Sequence, residues 1–369
     1  MIDDSNANPL STEGFEFVEF TSPDPDGLAT LFETLGFTAV ARHRSKDVVR
    51  YRQGNINFLL NKELQGQAAE FRDKHGPSIN AMAFRVHDAA RALELAIRRG
   101  ATEVKASGGL TNLSSPTIEG IGGSYLYLID EAGAHDLYDA NFSAIPGSAE
   151  REAANNAGLT YLDHLTHNVR RGNMNAWASF YERVFNFREI RYFDIEGKVT
   201  GLYSKAMTSP DGNIRIPINE SQDEHSQIEE FLHSYRGEGI QHVALGSDNI
   251  FDTVDRMRAK GVKFQETPET YYETVDARVR GHSEELRRMR ERHILIDGAP
   301  MDGQGLLLQI FTQNAIGPCF FEIIQRKGNE GFGEGNFTAL FESLELDQIR
   351  RGTLSLGAGG ADPVSEFIA

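Results

Sequence analysis

One pattern in this chain occurs twice, and that duplication restricts the possible folds more than any other feature. Ala29-Thr-Leu-Phe-Glu-Thr-Leu-Gly-Phe37 matches Ala178-Ser-Phe-Tyr-Glu-Arg-Val-Phe-Asn-Phe187, an apolar run at helical spacing that ends at a phenylalanine. Ala90-Arg-Ala-Leu-Glu-Leu-Ala-Ile-Arg-Arg-Gly-Ala101 matches Phe251-Asp-Thr-Val-Asp-Arg-Met-Arg-Ala-Lys-Gly-Val262, each a helix closed by a glycine. Around these helices lie short runs of strand type. In the first half they cover 15–20, 38–42, 48–52, 56–60, 81–86 and 125–130; in the second, 159–169, 187–193, 202–207, 240–245, 306–311 and 319–325. The order predicts an α+β fold of tandem βαβββ modules rather than a doubly wound parallel sheet. The polar stretch 148–156 is the expected boundary between a domain over 1–153 and a second over 154–369. The second half also carries a charged insertion, 268–302, expected as a surface excursion with a short helix at 283–290.

Composition narrows the function classes. A net charge of −17, with no broad stripe of Lys and Arg, argues against nucleic acid and anionic membrane surfaces as partners. Cys319 is the single cysteine, so no intramolecular disulfide framework exists, and its apolar neighbours suit a buried, inert thiol. No run is long enough for a membrane helix and the first residues are acidic and polar, so a soluble cytoplasmic protein is expected.

Glu322 is the residue that most needs an explanation. It stands inside the apolar run Phe320, Phe321, Ile323, Ile324, where an ionised carboxylate needs a partner. His164, His167 and His242 also sit at or near the centres of expected strands in the same half. Overlaying the halves puts Ala81 at the His242 position, Tyr127 at the Glu322 position, and an aromatic or acidic residue near that of His164. The first half therefore has the scaffold without the ligand types, and chemistry is expected in the second. Two imidazoles and one carboxylate on separate strands suit non-haem Fe(II), Mn(II) or Zn(II) with open positions. Residues three apart on a strand face opposite ways, so one of His164 and His167 is structural.

After the last strand, Gly331-Phe-Gly-Glu-Gly-Asn-Phe337 opens a helix expected from about 337 towards 350. It lacks GxGxxG spacing and a following strand with a ribose-binding acid, which excludes a dinucleotide reading. A hinge for a terminal helix that closes over a pocket fits better.

Several of these segments together resemble the bacterial-type 4-hydroxyphenylpyruvate dioxygenases of the vicinal-oxygen-chelate fold. They are Asp163-His-Leu-Thr-His-Asn-Val169, Pro217-Ile-Asn-Glu220, Gly239-Ile-Gln-His-Val-Ala244, Leu308-Gln-Ile-Phe-Thr312, Phe320-Phe-Glu-Ile-Ile-Gln-Arg326 and the glycine-rich turn. The resemblance implies Fe(II) held by His164, His242 and Glu322, with His167 structural. It implies polar residues Ser204, Asn219, Gln227, Gln241 and Gln309 lining the site, with Phe311, Phe332, Phe337, Phe341 and Asn336 on the substrate side. Gln241 precedes His242, so a regular strand turns it to the opposite face. The implied reaction takes 4-hydroxyphenylpyruvate and O2 to homogentisate and CO2, in a homo-oligomer (dimer or tetramer). One alternative is 4-hydroxymandelate synthase, which hydroxylates the benzylic carbon of the same substrate. Phe337 leans to ring attack. A non-catalytic small-molecule-binding protein of the same fold is the reading from a different class.

Overall fold

A computed structural model describes residues 7–105, 115–196, 201–224 and 226–340. The first half supplies β1 (Thr12–Thr21), β2 (Thr38–His43), β3 (Val48–Gln53), β4 (Ile56–Asn61), β5 (Ser78–Val86), β6 (Thr117–Glu119), β7 (Tyr125–Ile129) and β8 (Phe142–Ala144). The second supplies β9 (Leu159–Val169), β10 (Arg188–Glu196), β11 (Gly201–Thr208), β12 (Arg215–Ser221), β13 (Gly239–Ser247), β14 (Leu295–Gly298), β15 (Leu306–Phe311) and β16 (Phe320–Lys327). They form two eight-stranded sheets, in the orders β6-β7-β5-β1-β4-β3-β2-β8 and β10-β11-β12-β9-β13-β16-β15-β14. In each sheet two modules meet along their first strands, β1 antiparallel to β5 and β9 antiparallel to β13. Each first strand also runs parallel to the last strand of its own module. This is the tandem βαβββ arrangement of the vicinal-oxygen-chelate fold.

The second pair of repeated helices starts by the same chemistry. Asp88 caps Ala89–Arg98 by accepting from the Arg91 amide, and Asn249 caps Ile250–Ala259 by accepting from that of Asp252. Apolar residues on the helices and on one face of each sheet merge into a single core shared by both halves. Phe321 of β16 lies 6.4 Å from Phe20 and 6.0 Å from Phe58 of the first half, ring centre to ring centre. Strand alternation then sends Phe17, Ala81, Ala83 and Tyr127 to the other face of the first sheet, where they form a separate apolar cluster. In the second sheet the same face carries His164, His242 and Glu322. Ala83 pairs with Phe17 and Tyr127; Ala244 pairs with His164 and Glu322. The register thus places Phe17, Ala81 and Tyr127 where the second sheet has His164, His242 and Glu322.

Three differences from the sequence reading stand out. The insertion is not a simple surface excursion. Its helices Glu269–Glu273, Val275–Arg278 and Leu286–Arg292 bury Tyr271, Tyr272, Val275 and Met289, and β14 pairs with β15. The apolar residues are spread among so many charges that a linear scan averages them away. The helix Ser148–Asn155 straddles the expected boundary but belongs to the first half, where Asn155 donates to the carbonyls of Glu33 and Phe37. Finally, the terminal helix starts earlier than expected and is described over 334–340; its continuation to 350 and Phe341 lie outside the described residues. Among the described residues no helix is long and apolar enough to cross a membrane.

The two halves are also joined by one buried amide. Gln53 donates to the Leu35 carbonyl at 3.1 Å and accepts from the Ala157 amide at 2.6 Å, at the entry to the second half. Replacing Gln53 by Ala strands these backbone groups away from water, so we expect stability to fall by about 1–3 kcal/mol. With the core shared, urea unfolding should remain one transition, displaced to lower denaturant without a change of slope.

Candidate metal centre

Three adjacent strands bring the site together. β9 places His164, β13 places His242 and β16 places Glu322, all buried and all pointing away from the shared core. Their ligand atoms lie within 4.8 Å of one another, and among the described residues they are the group able to hold a metal. The Nε2 atom of His164 is 3.1 Å from Glu322 Oε2; that of His242 is 3.4 Å from the same oxygen and 3.4 Å from His164 Nε2. Ligand atoms about 2.1 Å from one ion stand about 3.0 Å apart at right angles and about 3.4 Å apart at tetrahedral angles. The observed separations span those values.

The outward sides of the two rings explain why a cation belongs there. His164 Nδ1 donates to Asp163 Oδ1 at 2.7 Å, and His242 Nδ1 donates to Gln241 Oε1 at 3.1 Å. Both acceptors are oxygens, so each neutral ring turns an Nε2 lone pair inward, towards a carboxylate. Without a proton or a metal between them, these groups repel. The electrostatics follow. Burial pushes the Glu322 carboxyl up, but His164 and His242 outweigh it and hold the group down at about 2. Burial pushes His164 down, yet Glu322 and Asp163 leave it raised overall. His242 is lowered, burial outweighing its bond to Glu322. Asp163 stays ionised, because Arg326 and His164 overcome its own burial.

His167 faces the other way, with Nε2 2.8 Å from the Tyr181 hydroxyl, and burial drops its pKa to about 3. It is the structural histidine of the pair.

The ligands floor a cavity of about 660 Å³. Ser204, Asn219, Gln227 and Gln241 line it on the polar side, and Phe311, Phe332 and Phe337 on the aromatic side. Gln241 reaches the cavity because the β9–β13 register shifts between Ile240 and His242, a bulge that turns two successive side chains the same way. Gln309 and Asn336 are not among the lining residues. Gln309 lies behind Glu322, donating to its Oε1 at 2.9 Å, and Asn336 donates to Gln309 Oε1 at 2.7 Å. Phe341 falls outside the described residues. The sequence reading missed Thr166, whose hydroxyl is 2.9 Å from His242 Nε2, and Phe320, stacked on His242 at 4.8 Å. It also missed Asp163, although an oxygen-bearing residue directly before each ligand histidine was a legible signal.

Comparison with known proteins bears on this geometry. Residues 6–143 match the family model described as hydroxyphenylpyruvate dioxygenase, N-terminal, and residues 161–279 match the glyoxalase/bleomycin resistance protein/dioxygenase superfamily. A 4-hydroxyphenylpyruvate dioxygenase of Pseudomonas aeruginosa is 59% identical, over 94% of this chain and 97% of its own length. The chain belongs to the 4-hydroxyphenylpyruvate dioxygenase family. A Vibrio vulnificus relative named hemolysin VllY is 60% identical over 94% of this chain and 98% of its own. Among solved structures, a variant of 4-hydroxymandelate synthase from Streptomyces coelicolor superposes with a TM-score of 0.74 at 25% identity, covering 91% of this chain and 99% of its own. A dioxygenase with a metal cofactor at a His-His-Glu site is what family and geometry together support.

Two outcomes test the centre. Changing His164, His242 or Glu322 to Ala should weaken binding of a divalent metal beyond the roughly 10–100-fold typical of outer-shell partners, whereas His167→Phe should lose stability but keep the metal. Metal must displace the proton that His164 holds above its ordinary pKa. Affinity should therefore fall as pH drops through that value, by up to about tenfold per pH unit. Competition titration against a coloured chelator at several pH values reads both.

Proposed function

We propose that this protein is a 4-hydroxyphenylpyruvate dioxygenase that uses Fe(II) and O2 to form homogentisate and CO2, the substrate supplying its own 2-oxo acid. The observation that carries this reading is the centre's setting. A buried His164–His242–Glu322 triad opens onto a cavity lined by amides and phenylalanines, with Glu230, Glu266 and Glu334 also on its wall, and its described lining residues include no Arg or Lys. An anionic 2-oxo acid entering it finds its cation at the triad. Fe(II) suits two imidazoles and a carboxylate with positions left open, and supplies O2 activation and chelation of the 2-oxo acid when bound. Cytoplasmic location and assembly as a dimer or tetramer belong to the same proposal.

The chain's own residues have definable tasks. The Gln309 amide occupies Glu322 Oε1, which leaves Oε2 to face the metal and favours single-oxygen ligation. Asp163 and Gln241 hold the two imidazoles with Nε2 inward. Ser204 and Asn219 pair across β11 and β12, and their side chains can hydrogen-bond a phenol or carboxylate without adding a charge next to the metal. Phe311 and Phe337 offer apolar faces for the aromatic ring. Helix 334–340 covers the cavity with Phe337 and Leu340, which keeps water from the reacting groups.

On the family resemblance, an aromatic residue at position 337 favours ring hydroxylation over the benzylic alternative, and Phe337 lines the cavity. Aerobic turnover of 4-hydroxyphenylpyruvate by Fe(II)-loaded protein should consume O2 and give homogentisate on chromatography, with both lost in Glu322→Ala. Hydroxymandelate as product would transfer the assignment to the benzylic reaction, and metal binding with no O2 uptake would favour a binding role. Asn219→Ala should raise KM about tenfold, as expected for one lost hydrogen bond to a charged or phenolic group.

A further inference from the structure

The Asp163 carboxylate that orients His164 is itself held by Arg326, and Arg326 has a second commitment. Its Nε and Nη2 donate to the two oxygens of Asp163 at 2.7 and 2.8 Å. Its remaining nitrogen, Nη1, donates to the Gly331 carbonyl at 2.7 Å and to that of Asn329 at 3.0 Å. These carbonyls belong to the turn that opens helix 334–340 over the cavity. The guanidinium also lies 5.8 Å from the ring centre of Phe332, whose ring stands edge-on to His164 at 5.4 Å. Every Arg326 nitrogen is thus engaged, with one fork on the ligand's partner and one arm on the turn. Asp163 is fully buried and Arg326 nearly so, so neither bond can be exchanged for water without displacing structure.

The first turn of the helix that follows is tied to a different ligand. Asn336 donates to Gln309, which donates to Glu322, while Tyr271 holds Asn336 Oδ1 at 2.6 Å. Gly333 passes so close to Gln309 that an added Cβ would stand 1.7 Å from its Oε1, and its φ of +77° suits glycine. The turn and the start of the helix are therefore each fastened to groups that position metal ligands.

We propose that Arg326 is a positioning residue that couples the seat of His164 to the closed state of the turn 329–333. The coupling is reciprocal by linkage: seating the metal on His164 strengthens the closed turn, and the closed turn strengthens metal binding by the same factor. Lysine at this position keeps a charge for Asp163 but has no planar fork to serve two partners at once. Arg326→Lys therefore separates the coupling from the simple need to neutralise a buried carboxylate.

The inference rests on His164 being a metal ligand, and the experiment separates the two. Co(II) alone is added to wild-type and Arg326→Lys protein without substrate, and two quantities are read: metal affinity, and hydrogen exchange of the amides over 329–337. In the wild type, Co(II) should slow exchange across the turn. In Arg326→Lys that protection should be lost and affinity should fall about 10–100-fold, with the far-ultraviolet spectrum unchanged. Protection and affinity equal to wild type in the folded variant would overturn the coupling. So would wild-type protein that binds Co(II) with no change in exchange at the turn, a result that stands even where the variant fails to fold. Wild-type protein that binds no Co(II) would instead refute the metal centre.

Discussion

A carboxylate in the middle of an apolar strand is the constraint on which the second half of this molecule depends. Glu322 lies between Phe321 and Ile323, which face the core shared by both halves, so strand alternation turns it, with Phe320 and Ile324, to the other side. An uncompensated charge there costs several kcal/mol. The compensation comes from two other strands, as His164 and His242, and those histidines in turn need acceptors for their outer nitrogens. Asp163 supplies one and then requires Arg326, which is satisfied by the turn beneath the covering helix. A single buried charge thereby organises three strands, a pocket floor and the lid.

The first half answers a similar problem differently. Glu19 of β1 is also buried, but its partners are the neutral amides of Asn61 and Asn80. Burial outweighs those bonds and raises its pKa, whereas the histidines around Glu322 more than reverse the effect of burial and leave it ionised. Where the second sheet has its ligands, the first packs Phe17 against Tyr127 at 5.5 Å over Ala81 and Ala83. The same backbone thus yields an apolar plug in one copy and a cation site in the other. The plugged half is not idle, because its other face supplies part of the shared core that holds β16 in place.

Much of this was legible in the linear chain. The repeat identified the modules, and Glu322 among phenylalanines and isoleucines identified the strand where chemistry had to be. Comparing the halves isolated His242 and Glu322 as departures from Ala81 and Tyr127. What escaped the reading has common physical causes. The insertion hid its buried tyrosines among charges. Gln241 was expected at the site from the resemblance, but the bulge that turns it to the cavity is set by pairing with the neighbouring strand rather than by local sequence. Gln309 and Asn336 were expected in the pocket from the resemblance, but the fold uses their amides behind Glu322.

The sequence by itself determined the duplicated βαβββ order, the half that carries the ligands and the need for a cation near Glu322. These follow from periodicity and from the free energy of burying charge, both local properties of the residues. Only the tertiary structure decided which oxygen orients each imidazole, which amides face the cavity, and that Arg326 joins a ligand's partner to the lid. Each of those depends on distances between strands remote in sequence, from Asp163 to Arg326 and from Gln309 to Asn336. Chain connectivity does not encode such distances until the sheet has closed around them.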